Sequence, residues 1–190
     1  MLKKFVLGGM TALVLAACGG EGGSASSSAP AQSANASGSL IERINNKGTI
    51  TVGTEGTYAP FTYHDKDGKL TGYDVEVTRA VADKLGVKVE FKETQWDSMM
   101  AGLKAGRFDV VANQVGLTSP ERQATFDKSE PYSWSGAVLV ARKDSNIKSI
   151  DDIKGVKTAQ SLTSNYGEKA KAAGAELVPV DGLAQSLTLI

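Results

Sequence analysis

From Leu40 onward, apolar residues switch repeatedly between a period of two and a period near four. Thr49 to Thr54 is a β-rich run following Gly48. Phe61 to His64 and Lys69 to Thr71 flank Asp65-Lys66-Asp67-Gly68, whose Asp-Gly predicts a hairpin turn. Val77, Val81 and Leu85, four apart, predict a helix capped by Asp74 and stopped by Gly86. Val87, Val89 and Phe91 alternate with Lys88, Glu90 and Lys92, the pattern of a strand with one buried face. Asp97 is placed to cap a helix carrying Met100 and Leu103 and closed by Gly106. Phe108 to Ala112 reads as a buried strand, and Ser119-Pro120 as the N-cap and first residue of a helix. Further strands are expected over Ala137–Ala141, Val156–Gln160 and Glu176–Val180, with helical segments over Ile150–Ile153 and Ser164–Ala173. Strands alternating with helices predict an α/β fold with a mostly parallel sheet.

The first 39 residues follow another pattern. Lys3 and Lys4 precede an apolar run, Phe5 to Ala17, that is short and broken by Gly8 and Gly9. It reads as a signal segment (residues 1–17) and not as a durable membrane span. Leu15-Ala16-Ala17-Cys18 resembles the bacterial lipobox, and the resemblance implies that Cys18 carries lipid. The alternative is an ordinary secretory signal with an incidental cysteine. Residues 19–39 are almost entirely Gly, Ser and Ala, with no aromatic or large aliphatic side chain. Such a segment cannot bury enough apolar surface to offset its ordering entropy. As a flexible tether it would span roughly 25 Å.

Charge and composition narrow the chemistry. The 190 residues carry 21 Lys+Arg against 21 Asp+Glu, one His and one Cys. A balanced charge argues against nucleic acid as a partner. One cysteine forbids an internal disulfide and a Cys-based zinc site. With His64 as the single histidine, a Ser-His-Asp triad or a His-rich metal cluster is not expected, and no cofactor is implied.

Three polar clusters follow strands, where ligands bind in α/β sheets. Gly53 to Phe61 offers Tyr58 and Phe61 on a loop shaped by Gly and Pro; the alternative is that both rings merely pack the loop. Asn113 to Arg122 joins a strand to a helix N-terminus, where free N–H groups and the Arg122 guanidinium suit a carboxylate. The competing reading is a solvated helix arginine. Gln160 to Tyr166 repeats the strand-to-helix arrangement, which on its own is an ordinary cap. Asp109 and Asp127 suggest an acid/base pair, but a structural role suits both better.

Taken together, these segments resemble the polar amino-acid binding proteins of ABC importers, the family-3 solute-binding proteins. The resemblance is carried by Gly48-Thr49-Ile50, Gly53 to Phe61, Leu70 to Val75, Gln95 to Met99, Phe108 to Val111, Thr118 to Arg122, and Phe126 to Tyr132. It implies a two-lobed periplasmic binding protein type II fold, with residues 40–134 as the first lobe and 135–190 as a partial second lobe. It implies that Tyr58, with Phe61 or Trp96, covers the ligand side chain and that Arg122 grips the α-carboxylate. Carbonyls and hydroxyls around Gln114, Gly116 and Thr118 would take the α-ammonium and part of the carboxylate, and Ser164 and Asn165 would close on the carboxylate from the second lobe. Many members carry a hydroxyl residue where this chain has Gly116, so whether Gly116 or Thr118 serves the ammonium stays open. Glu55 to Tyr58, Gln95 to Asp97 and Asn113 to Val115 look most like the cystine- and cysteine-binding branch.

The partners implied are a small amino acid, an inner-membrane ABC permease and a membrane reached through the N-terminal lipid. Location in the periplasm or at the cell surface follows from the same resemblance. A dehydratase on the same fold is the enzymatic alternative, and Glu55 is the one candidate pocket acid for it. A surface lipoprotein without ligand is the third reading. Relatives of this kind extend past the point matching Ile190, so the resemblance also implies a second lobe truncated at its C-terminus and poor binding, or none, by these 190 residues.

Overall fold

The computed structural model describes residues 38–190. The expected signal segment, Cys18 and nearly all of the tether lie outside the described residues.

The described chain begins with a helix that the hydropathy pattern did not announce, α1 (Leu40–Lys47). Ser39 caps it in a capping box with Glu42, and Gly48 closes it in a left-handed conformation. Ile44 is its one buried residue. Strand β1 (Thr49–Thr54) follows and is buried along almost its whole length. It is the central strand of a parallel sheet in the order β5–β1–β6, with β5 (Lys88–Glu93) and β6 (Val110–Val111) on either side. Ile44, Ile50, Val52 and Ala82 form the core cluster of this sheet, flanked by Val87, Val89, Phe91 and Val110.

After β1 the chain makes a small antiparallel meander of β2 (Thr57–Tyr58), β3 (Thr62–His64) and β4 (Leu70–Thr71). The Asp-Gly turn forms as expected: Gly68 takes φ +76°, and Asp65 Oδ1 accepts from the N–H groups of Asp67 and Lys69. The Ala59–Pro60 peptide is cis.

Helix α2 (Tyr73–Leu85) corrects two expectations. Its N-cap is Gly72, without a side-chain cap, and Asp74 lies inside the first turn, fully buried. The buried residues are Val75 and Ala82, whereas Val81 and Leu85 are exposed. A pair seven residues apart is thus buried, and of the apolar set spaced by four Val77 is half-buried while Val81 and Leu85 face away. Helix α3 (Trp96–Lys104) likewise starts from Gln95, not from Asp97. It packs on β1 and β6. The ring of Phe108 is wedged between Gly53 and Gly102, and a Cβ at either glycine would lie 2.7 Å from that ring.

Helix α4 (Pro120–Thr125) has the expected N-cap Ser119 and Pro at its start. The strand expected over Ala137–Ala141 does not form. The segment is irregular, with Trp134 and Val138 exposed by 83% and 86%. Its β-branched composition finds no partner strand among the described residues, and β propensity without pairing does not make a strand. A 3₁₀ turn at Ile150–Ile153 leads to a second parallel sheet of β7 (Lys157–Gln160) and β8 (Glu176–Pro179). Helix α5 (Asn165–Ala172) joins them, and α6 (Leu183–Thr188) follows β8. Among the described residues no helix is long and apolar enough to cross a membrane.

Candidate functional site

The loop after β1 is fixed by a buried polar cluster. Thr54 Oγ1 donates to Thr62 Oγ1 at 2.7 Å, and Gly56 N–H donates to the same Thr62 oxygen at 3.1 Å. Asn113, fully buried after β6, holds Glu55 from both ends. Its Oδ1 accepts from Glu55 N–H and its Nδ2 donates to Glu55 Oε2, each at 2.8 Å. Burial raises the Glu55 carboxyl above the ordinary range, the Asn113 hydrogen bond opposes this, and the charge of Asp97 adds to the rise.

Tyr58 and Phe61 project from this loop with ring centroids 5.1 Å apart at 47°. Burial raises the Tyr58 phenol, and nearby Tyr166, Glu55 and Asp74 raise it further. The two rings thus stand against each other, an arrangement that both the ligand-covering and the loop-packing readings allow. Tyr166 of α5 also acts on this phenol, a neighbour that the sequence reading did not single out.

Gln114 takes φ +50°, the one positive value at a non-glycine residue among the described ones. Asp74 holds it there, accepting from Gln114 N–H and from its Nε2 at 2.6 Å each. Gln114 Oε1 in turn accepts from Ser133 Oγ at 3.0 Å. Burial pushes the Asp74 carboxyl up, against the lowering effect of the Gln114 bonds. Burial beside Asp74 also pushes the Tyr132 phenol well above its ordinary range.

Arg122 is only 7% exposed. Its Nη1 donates to Gly116 O at 3.0 Å and its Nη2 to Thr163 O at 2.6 Å. Its guanidinium carbon lies 5.4 Å from the Trp96 ring centroid. Among the described residues it makes no ion pair. The indole N–H of Trp96 is also buried without an acceptor there. A buried cation without an anion is costly, and two adjoining donors with spare capacity make a receptor for a carboxylate.

Gly116 lies beside the start of α5, since a Cβ on it would stand 3.7 Å from Asn165 Nδ2. Ser164 caps α5, its Oγ accepting from Tyr166 N–H at 3.1 Å. Thr118 is exposed in the loop leading to Ser119. The structure thus brings together Trp96, Gly116, Arg122 and Asn165, and ties Gln114 to Asp74 nearby. Asp97, Asp74 and Asn113 were missed as positioning groups because acids before helices resemble caps and a strand-end Asn resembles a turn. A cavity of about 400 Å³ adjoins Gln95; Glu55, Thr57, Glu93, Asp181 and Leu183 also line it.

His64 is exposed at a hairpin strand, with its ring nitrogens near Gly56 O and Glu93 Oε1. Asp109 is structural: its Oδ2 accepts from Thr51 N–H and Oγ1 and faces Lys47 at 3.8 Å.

Residues 50–180 match the bacterial extracellular solute-binding proteins, family 3, and the chain belongs to that family. Within it, the chain is 62% identical over 154 residues to a probable amino-acid ABC transporter-binding protein of Haemophilus influenzae, covering 80% of this chain and 60% of that one. It is 61% identical over 155 residues to the L-cystine-binding protein TcyA of Bacillus subtilis, covering 80% and 57%. A solved structure, the L-cystine solute receptor of Neisseria gonorrhoeae in the unliganded open conformation, is 96% identical with a TM-score of 0.51. That alignment covers 80% of this chain and 65% of the receptor. The chain therefore spans less than two thirds of the length of each of these relatives.

Proposed function

We propose that the protein is the extracytoplasmic binding component of an ABC importer and captures an amino acid, L-cystine foremost, for delivery to a permease. The observation that carries this reading is the buried Arg122 guanidinium, which lacks a carboxylate partner among the described residues. Arg122 and the Trp96 indole N–H would take the ligand's carboxylate. Tyr58 and Phe61 would cover its side chain, and Gln114, Gly116 and Thr118 would line the ammonium end. Ser164 and Asn165 would close from the α5 side. The likeness to cystine-binding relatives supports the choice of ligand.

In this reading residues 40–134 form one lobe and 135–190 belong to the second, with binding coupled to their closure. Residues 1–17 are a signal segment, Cys18 bears the lipid, and residues 19–39 tether the folded part near the membrane. Calorimetry of the full-length mature protein against a panel of the common amino acids and L-cystine tests the proposal. Saturable heat with L-cystine is expected, and absence of binding by every member of the panel overturns it.

A further inference from the structure

Thr163 lies in the loop between β7 and α5 and is bonded at every polar atom to elements of the first sheet's side. Asp97 Oδ1 accepts from Thr163 N–H at 2.9 Å and from Thr163 Oγ1 at 2.8 Å, while Asp97 Oδ2 accepts from Leu162 N–H at 3.2 Å. The Thr163 carbonyl accepts from Arg122 Nη2 at 2.6 Å. Asp97 and Arg122 carry opposite charges but form no ion pair with each other; Thr163 stands between them, with one charge on each side.

These two grips differ in what a ligand does to them. Arg122 has five N–H donors, two of them committed to carbonyls, so an incoming carboxylate engages the same guanidinium that holds Thr163. Asp97 is an acceptor only; the ligand's carboxylate has no hydrogen to offer it, and the ligand's ammonium is assigned to Gln114, Gly116 and Thr118. Its hold on the β7–α5 loop therefore persists when Arg122 turns to the ligand. Three hydrogen bonds to one carboxylate, two from backbone N–H groups that no other bond satisfies, also fix the direction from which the loop approaches.

We infer that Asp97 is a positioning residue that clamps the β7–α5 loop over the ligand through Leu162 and Thr163 and thereby sets how slowly ligand leaves. The inference rests on the proposed amino-acid binding and concerns the state in which the β7–α5 loop meets Asp97.

The test uses the full chain with Cys18→Ser and spin labels at Lys66→Cys and Lys171→Cys, both exposed positions, together with stopped-flow release of L-cystine. Asp97→Ala is expected to lengthen and broaden the label distance at saturating L-cystine. It is also expected to speed L-cystine release about 10- to 100-fold with little change in association rate. Thr163→Val, nearly isosteric, removes only the hydroxyl bond and should speed release several-fold, and should add nothing in the Asp97→Ala background. If Asp97→Ala does not fold, Thr163→Val carries both readouts. Unchanged distances and release rates, or strictly additive effects of the two substitutions, overturn the clamp. Wild-type protein that binds no amino acid defeats the proposed function and the clamp with it, whereas binding with unchanged release and distances in Asp97→Ala defeats the clamp alone.

Discussion

The Arg122 guanidinium carbon stands 5.4 Å from the centre of the Trp96 ring. The indole face thus lies against the buried cation and fixes its plane, so the carbonyls of Gly116 and Thr163 receive one amino group each. Arg122→Lys keeps the charge but loses the two-armed fork. Its affinity for L-cystine should fall at least about tenfold, and Arg122→Ala should abolish detectable binding, since charge-assisted bonds contribute about 1.5–3 kcal/mol each. Trp96→Leu should weaken binding more modestly, by about 0.5–2 kcal/mol. Titration calorimetry reads all three; wild-type affinity in Arg122→Lys would refute the receptor role.

Asp74 holds Gln114 at φ +50° through two 2.6 Å hydrogen bonds. Removing the carboxylate leaves a half-buried backbone N–H without an acceptor and a backbone conformation without support. Asp74→Ala should therefore cost about 1–3 kcal/mol in chemical denaturation. Gln114→Gly should cost less than Gln114→Ala, because glycine adopts this φ freely.

Phe108 fills the gap left by two absent side chains, at Gly53 and Gly102. Gly53→Ala should destabilise the fold by about 1–3 kcal/mol through overpacking. Combining it with Phe108→Leu should recover part of that loss, and strict additivity in urea melts would contradict the wedge.

Much of this framework is legible in the residues. The Asp-Gly hairpin, the Ser119-Pro120 helix start and the alternating face of β5 each rest on local rules, and each forms. What failed depended on distant partners. Asp74 and Asp97 stand where a capping acid would stand, but contacts 40 and 65 residues away recruit them. Val81 and Leu85 share a spacing of four, yet the sheet approaches α2 from the Val75–Ala82 side. Ala137–Ala141 has the composition of a strand without the neighbour that would make it one. At the site, Tyr58 and Arg122 are legible in the strand-end clusters and Trp96 in the family resemblance; the approach of Trp96 to Arg122 came only from the fold.

Acidification should bring out opposite contributions from the buried carboxyls. Burial works against ionisation of Asp109, but hydrogen bonds from Thr51 and the charges of Lys47 and Arg43 outweigh it and hold this carboxyl below its ordinary range. In that window the unfolded chain binds the extra proton, so the Asp109 contribution is present above about pH 4 and is lost as pH falls further. Asp74 and Glu55 are raised, so the folded state binds the extra proton and their effect runs the other way, stability growing as pH falls toward about 4. Thermal melts between pH 3 and 6 should show a shallower acid loss in Asp109→Asn than in wild type; parallel curves would refute this.

The exposed apolar segment around Val138 offers unpaired backbone beside β-branched side chains. Such a segment pairs readily with another copy. Val138→Lys should slow concentration-dependent aggregation measured by light scattering without lowering the melting temperature. Equal aggregation would show that this segment is not the contact.

Gln114 receives from Ser133 and gives to Asp74, while its chain neighbours lead directly to the carbonyl that Arg122 uses. The consequence is evolutionary. A lineage that changes Ser133 also disturbs Gln114, two residues before the Gly116 carbonyl that Arg122 uses. Descendants that change ligand would have to keep this residue or replace Asp74, Gln114 and Ser133 together. The three positions should therefore drift as a unit, even though Asp74 and Ser133 lie on opposite sides of the residue that joins them.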